Sequence, residues 1–342
     1  MSPQGPLAVA YLDPARLQLQ DAGWKDGILG AVCYGGQARS APADDWPSAL
    51  VGTPRVDAPG DLCELWLSPG PIRSGAGQGV AYRCTDDLLF GVVMESQVEG
   101  SEAAAWVQVA AERGYGRLFA LVGALGYPNL VRTWNYFSEI NTDERGLERY
   151  RRFNAGRQDA FLAAGRSVTA GVPAACALGV GGQPLTIAFL AARCPVLAIE
   201  NPRQVSAYRY PAEYGPRSPT FSRATLLRLP GQEVLFLSGT ASIGGHRTLH
   251  PGDVAAQTRE TLANLQAVLD AASRVTEGPA FALDSLYLKV YLRDPADLEA
   301  VRAVLTQELG PGHSAVYLQA DICRADLLVE IEATVGLQVQ IQ

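Results

Sequence analysis

The chain of 342 residues is poor in charge and in the residue types that build metal and redox centres. Only 18% of its residues are Asp, Glu, Lys or Arg, and it has three histidines and six cysteines. There is no C-x-x-C and no H-E-x-x-H, so neither a zinc cluster nor a dithiol redox motif is present. His246 and His250, in "GHRTLHPGD", have the i, i+4 spacing of metal ligands. Gly244, Gly245 and Pro251 bracket them and argue against the helix that such spacing needs. The glycines of "GVGGQP" lack the P-loop lysine and the dinucleotide spacing. We therefore expect no metal and no cofactor. The most apolar region, 167–199, is broken by Pro173, Gly179, Gly181, Gly182, Gln183 and Pro184, which argues against a membrane span. No charged-then-apolar leader separates Met1 from the strand-like "LAVAYL". Cysteines scattered through a chain too large to need staples are expected as free thiols in a reducing cytoplasm. A pI near 5.1 and a net charge of −7 argue against nucleic acid.

What is present is a chain with 48% hydrophobic residues and a mean hydropathy of +0.04, long enough for one large or two ordinary domains. In the last third, "QEVLFLSGTASI" (232–243) reads as a strand that stops at Gly244 and Gly245. Thr258, Leu262, Leu265, Val268 and Leu269 recur at helical spacing over 252–273. A strand at 283–294, a helix at 295–309 and strands at 314–319 and 326–335 follow. Earlier, 103–126 reads as a helix, 129–137 as a strand and 145–165 as a helix. The repeated order helix, strand, helix points to an α+β fold, a pseudo-repeat of one module with mixed sheets covered by helices. The expected division is 1–165 and 166–342.

Between Arg145 and Arg157 lie five arginines, in "RGLERYRRFNAGR". Asn141, Thr142 and Asp143 can cap the helix that carries them. At 3.6 residues per turn Leu147, Tyr150, Asn154, Arg157 and Phe161 share one stripe, which begins and ends apolar and is expected to be packed. Arg145, Arg149 and Arg152 share another, expected to be solvated. A buried tyrosine, amide and arginine need partners, since an unpaired buried polar group costs about 1–3 kcal/mol. An internal ion pair or a pocket for an anion would each supply them.

The segments "SGTASI", "GDVAAQTRETLANLQAVLDAAS", "LKVYLRDPADLEAVRAVL" and "CRADLLVEIEA" resemble the RidA/YjgF module, a fold also described as chorismate mutase-like. "VRTWNYFSEIN", "GLERYRRFNAGRQDAF", "LAIENPRQVSAYRYPAEYGPRSPTFSRA" and "FLSGTASIGGHRTLHPGD" resemble the chorismatase family, which joins a degenerate module of this kind to a RidA-like one. The resemblance runs from about 125 to 335. It implies cleavage of chorismate, a dianion with an enolpyruvyl ether, at a site between the modules or at their edge. Tyr150 and Arg157, with Tyr208, Tyr214 and Arg217 from "YRYPAEYGPR", would then bind its carboxylates; those loop tyrosines equally suit the packing of a Pro-rich turn. A solitary module usually trimerises, so monomer and trimer both stay open.

The chemistry needs an acid, because an enol ether breaks when its terminal methylene is protonated. In "DLLVEIEATV" the strand period puts Glu330 and Glu332 on one face, about 7 Å apart. Their mutual repulsion and apolar neighbours favour a protonated carboxyl; a solvent-facing polar edge is the alternative reading of the same pattern. By resemblance the acid matches Glu330, while Ala241 and Cys323 line the ring side of the pocket. In the family, Ala at both ring positions accompanies hydrolysis to a dihydroxydiene acid, and Gly with Cys accompanies 3-hydroxybenzoate. This mixture leaves the product open between hydrolysis and 3- or 4-hydroxybenzoate. Cys323 leaves less room for water than Ala, which favours a hydroxybenzoate. A RidA-like imine deaminase or ligand-binding protein is the reading from another class; "RYRRFNAGRQ" and "AYRYPAEYGPR" speak against it.

Overall fold

The computed structural model describes residues 6–35, 46–96, 106–182 and 184–341; Gln183 and the expected helix start at 103–105 lie outside them. β1 (Ala8–Leu12), α1 (Pro14–Leu19), α2 (Ala22–Asp26), β2 (Ile28–Tyr34), β3 (Ser48–Val51) and β4 (Leu62–Leu67) open the chain. β5 (Arg73–Gly77), β6 (Val80–Cys84), β7 (Leu88–Glu95), α3 (Trp106–Leu125) and β8 (Asn129–Ser138) follow. Next come the two-residue strands β9 (Asp143–Glu144) and β10 (Leu147–Glu148), α4 (Arg149–Ala163), β11 (Ala174–Val180) and β12 (Leu185–Ala192). The last module holds β13 (Val196–Ile199), β14 (Ala224–Leu229), β15 (Gln232–Ala241), β16 (Ile243–Gly244) and β17 (Arg247–Thr248). It continues with α5 (Val254–Ser273), β18 (Tyr287–Leu292), α6 (Leu298–Leu309), β19 (Ser314–Gln319) and β20 (Val329–Val335). β21 (Gln338–Ile341) returns to pair with β1.

The pseudo-repeat is visible in the topology. The second sheet runs β5-β6-β7-β12-β8-β11 and the third β13-β14-β15-β20-β18-β19. In both, a meander of three strands is followed by helix, strand, helix, a strand parallel to it, and a last strand inserted antiparallel between third and fourth. β1-β4-β2-β3 repeats the inner part of that order, with β2 and β3 parallel and β4 antiparallel to both its neighbours. The chain thus carries three sheets of one plan, the first truncated. β11 and β12 belong to the second sheet, so we place the boundary of the last module after Ala192 instead of at 165/166.

One face of each sheet points into a shared core, which holds Tyr34, Trp66, Trp134, Tyr136, Phe236 and Tyr291. The opposite faces carry the helices: α3 and α4 cover the second sheet and α5 and α6 the third. Their apolar stripes explain the fit; Leu262, Leu265, Val268 and Leu269 of α5 are all buried. At the centre, Tyr34 Oη lies 3.3 Å from Tyr136 Oη, which lies 3.4 Å from Tyr291 Oη. These tyrosines hold equivalent positions: Tyr34 pairs with Val51 and Leu62, Tyr136 with Leu178 and Thr186, Tyr291 with Leu318 and Glu330.

Two expectations are corrected here. Cys33 and Cys63 are joined as a disulfide rather than free; they are register partners on β2 and β4, 4.1 Å apart at Cα, a proximity that a sequence separation of 30 conceals. The remaining four cysteines are free. The helix expected from 145 begins at Arg149, and Asn141, Thr142 and Asp143 do not cap it, because β9 and β10 form a small hairpin there.

Candidate active site

Glu330 lies on β20, and alternation along that strand sends Val329, Ile331 and Ala333 to the helix-covered core and Glu330 and Glu332 to the other face. That face is interior, not a solvent edge: Glu330 and Glu332 are 4% and 5% exposed. The two carboxyls are treated very differently. Glu332 accepts from Arg132 at 2.6 Å and from Trp134 Nε1 at 3.1 Å and is ion-paired to Lys289 at 2.5 Å. Lys289 also meets Glu64 of the first sheet. Burial opposes its charge, but Lys289 and Arg132 hold Glu332 ionised, well below the usual carboxylate range. Among the described residues no cation lies within ion-pair distance of Glu330, and its Oε1 is buried without a hydrogen-bond partner. Burial, and then the charge of Glu332, pushes its carboxyl up to about 8.

A bulge in β15 makes room for this acid. Leu237 pairs with Ala333 and Thr240 with Ile331, so Ser238 and Gly239 both stand opposite Glu332. The bulge is braced: Ser238 Oγ donates to Ser222 O at 2.6 Å and accepts from Ala175 N at 2.9 Å, and Ser238 N donates to Arg223 O at 2.9 Å. Gly239 faces the carboxyl of Glu330, and Ala241 is the direct register partner of Glu330.

Glu330 forms part of the lining of a cleft of about 240 Å³, together with Ala241, Cys323, Tyr150 and Tyr214. These five expected residues are brought together. Burial pushes the Cys323 thiol up to about 12, with Glu330 adding to the effect, so it lines the cleft as a neutral group. Burial likewise raises Tyr150 above its ordinary value.

Three other expected residues are not in the cleft lining. Arg157 is buried under α4, stacked on Tyr115 at 5.0 Å and Phe161 at 5.8 Å, and donates to Thr133 Oγ1 at 3.4 Å. It joins neither an ion pair, among the described residues, nor the site: of the stripe, Asn154, Arg157 and Phe161 are buried, Leu147 is half-buried and half-buried Tyr150 lines the cleft. Arg217 is paired with Asp159 at 3.2 Å on the surface, and Tyr208 packs against the second module's core. On the other stripe Arg145 is exposed, whereas Arg149 and Arg152 are half-buried. Arg149 pairs with Glu139 and Glu144, and Arg152 donates to Glu144 O at 2.6 Å.

The guanidiniums that do line the cleft are Arg151, Arg223 and Arg324. Arg223 precedes β14 and donates to Val205 O at 3.0 Å and Tyr210 Oη at 2.9 Å. Arg324 donates to His246 O at 2.9 Å and lies 4.4 Å from the Tyr214 ring centroid. Periodicity could not find them, since both sit in irregular chain; adjacency of Arg324 to Cys323 in "CRAD" was the available signal. His246 accepts or donates at Nδ1 with Tyr214 Oη at 3.1 Å, and His250 has a left-handed backbone at φ 57°, so the pair does not share a helical face. Among the described residues no group of three or more His, Cys, Asp or Glu could hold a metal ion, and no helix is long and apolar enough to cross a membrane.

Three sheets of one plan thus place a carboxyl with a raised pKa beside the guanidiniums of Arg151, Arg223 and Arg324 at the junction of the last two, an arrangement able to deliver a proton to an anion. Residues 64–191 match the family described as chorismatase FkbO/Hyg5-like, N-terminal, and residues 220–336 match endoribonuclease L-PSP. A chorismatase of Streptomyces rapamycinicus is 40% identical over 340 residues, 97% of this chain and 99% of that protein. A 3-hydroxybenzoate synthase of Streptomyces hygroscopicus is 36% identical, over 90% of this chain and 91% of its own. A chorismatase crystal structure superposes with a TM-score of 0.86 at 37% identity, covering 98% of this chain and 99% of that one. The chain belongs to the chorismatase family.

Proposed function

We propose that this enzyme cleaves chorismate to pyruvate and a hydroxybenzoate by protonating the enolpyruvyl methylene from Glu330. The observation that carries the reading is the isolation of Glu330: buried, uncompensated by a cation, raised to about 8 and with Oε1 unpartnered in the cleft. A carboxylic acid that keeps its proton near neutral pH is the catalyst this step needs. Arg223 and Arg324 bind the two carboxylates of the substrate, for which guanidinium geometry is suited. Protonation leaves an oxocarbenium ion; the ether electrons then leave with pyruvate, and the ring aromatises.

Cys323 beside the ring supports hydroxybenzoate over hydrolysis because its sulfur occupies space a water would need. Ala241 favours the second reading, in which water captures the cation and a dihydroxydiene acid forms. The test is incubation of purified protein with chorismate, measuring pyruvate and separating 3-hydroxybenzoate, 4-hydroxybenzoate and diene acid by chromatography. Absence of pyruvate overturns the reading; pyruvate with only diene acid replaces it by the hydrolytic one.

A further inference from the structure

The reaction proposed above donates one proton and must lose another. Glu330 gives its proton to the methylene carbon, the C–O bond breaks with its electron pair on the pyruvate oxygen, and the ring is left cationic. A neutral ring forms only when a proton leaves the adjacent carbon or its hydroxyl; if water intervenes, the water loses it. Every branch therefore needs an acceptor, and no oxidant or reductant.

Glu148 stands at the N-cap position of α4, yet its carboxylate makes no capping hydrogen bond to the helix backbone. The first helical N–H groups are already satisfied: Arg149 N donates to Thr142 O and Tyr150 N to Ile140 O, both at 3.0 Å. The carboxylate turns instead to Asn141 Nδ2, 3.1 Å from Oε1, and to Arg151 Nε, 3.4 Å from Oε2. It forms part of the cleft lining, where Glu148 and Glu330 are the two carboxylic residues. Glu148 comes from the second module and Glu330 from the third. Cys323 lies within electrostatic reach of both.

A charge count isolates this group further. Among the described residues neither Arg223 nor Arg324 has a carboxylate within ion-pair distance, whereas Arg151 is paired with Glu148. Two unpaired guanidiniums match a dianion, so the Glu148–Arg151 pair stands outside the charges that binding requires. A carboxylate in such a cleft repels the substrate, and nothing in helix capping requires it there.

We propose that Glu148 is a catalytic residue of this site, the carboxylate that accepts the proton leaving the ring, its hydroxyl or the attacking water. The proposal rests on the chorismate reading. It completes a two-carboxyl cycle, in which Glu330 is the donor, Glu148 the acceptor, and solvent returns the proton between turnovers.

The experiment compares wild type, Glu148→Gln, Glu148→Ala, Arg151→Met and Glu330→Gln for pyruvate release from chorismate. Glu148→Gln is expected to lower kcat by ~10²–10⁴-fold with KM within a few-fold, and added formate is expected to restore part of the turnover of Glu148→Ala. If Glu148→Gln keeps kcat and raises KM, and Arg151→Met does the same, the pair serves substrate binding and the proposal is overturned. Should Glu148→Gln not fold, the formate titration of Glu148→Ala decides, a flat response overturning the proposal. Normal turnover by Glu330→Gln sinks the acid reading and this proposal with it, whereas its loss alongside an active Glu148→Gln sinks this proposal alone.

Discussion

Gly239 and Glu330 compete for one space: a Cβ built on Gly239 would lie 2.0 Å from Oε1 of Glu330 and 2.7 Å from its Cδ. The β15 bulge brings the backbone this close, and only the missing side chain lets the carboxyl stand in the cleft. Gly239→Ala should therefore displace the acid, lowering kcat by an order of magnitude or more with KM nearly unchanged. Shortening the acid relieves the clash, so Gly239→Ala with Glu330→Asp should lose less than the product of the single losses. Steady-state kinetics on the four proteins checks this; strictly multiplicative losses would refute it.

The raised Glu330 sets two pH dependences. If Glu330 is the acid, as proposed, turnover needs its protonated carboxyl, so activity should be retained below and fall as pH rises through about 8. Stability follows the same proton. Folding raises this carboxyl from its ordinary 4.5, so the native state holds a proton that the unfolded chain releases between those values. Stability should fall with rising pH across that window, by up to ~1.4 kcal/mol per pH unit. In Glu330→Gln that slope should flatten, and turnover should drop by ~10²–10⁴-fold. Melting temperature against pH for both proteins is the measurement; parallel curves would contradict it.

Arginines at the cleft and beneath it should separate cleanly. If Arg223 and Arg324 hold the substrate carboxylates as proposed, Arg223→Met and Arg324→Met each remove a charged hydrogen bond worth ~1.5–3 kcal/mol and should raise KM by ~10–150-fold. Arg157→Met keeps the stacking volume between Tyr115 and Phe161 and should leave KM within a few-fold. Equal effects from all three would place Arg157 in the site after all.

Product choice should follow the ring wall. Cys323→Ala opens room approaching one water molecule, whose share of liquid volume is ~30 Å³, and should divert flux from hydroxybenzoate to the diene acid with total pyruvate within a few-fold. Ala241→Gly should bias toward the 3-hydroxy isomer by letting the ring sit deeper. Chromatography of products from equal consumed chorismate checks both; unchanged ratios would reduce the two residues to packing.

Strand alternation made Glu330 and Glu332 legible as a pair, and helical spacing found the packed stripe of α4, because both follow from local periodicity. Which surface a stripe packs against is not local. Arg157 faces the core under α3, and Glu332 is compensated by Arg132 and Lys289 from β8 and β18. Likewise the disulfide and the role of Glu64 depend on a first sheet whose repeat lies in pairing order and leaves little trace in residue types. Arg223, Arg324 and Gly239 owe their places to loop anchors and a bulge, which no periodic pattern marks.

The equivalence around the central tyrosines has one more consequence. A homotrimer presents each side chain three times about its axis, so an ionised glutamate there is repeated as three like charges. Here the position of Glu332 is held by Glu64 in the first sheet and Ala188 in the second, and that of Glu330 by Leu62 and Thr186. Joining the copies in one polypeptide let each mutate alone. Two negative charges and two positive ones could be arranged so that a fifth group, in one cleft only, keeps its proton. The expected stoichiometry is one acid per chain, at one of three related junctions.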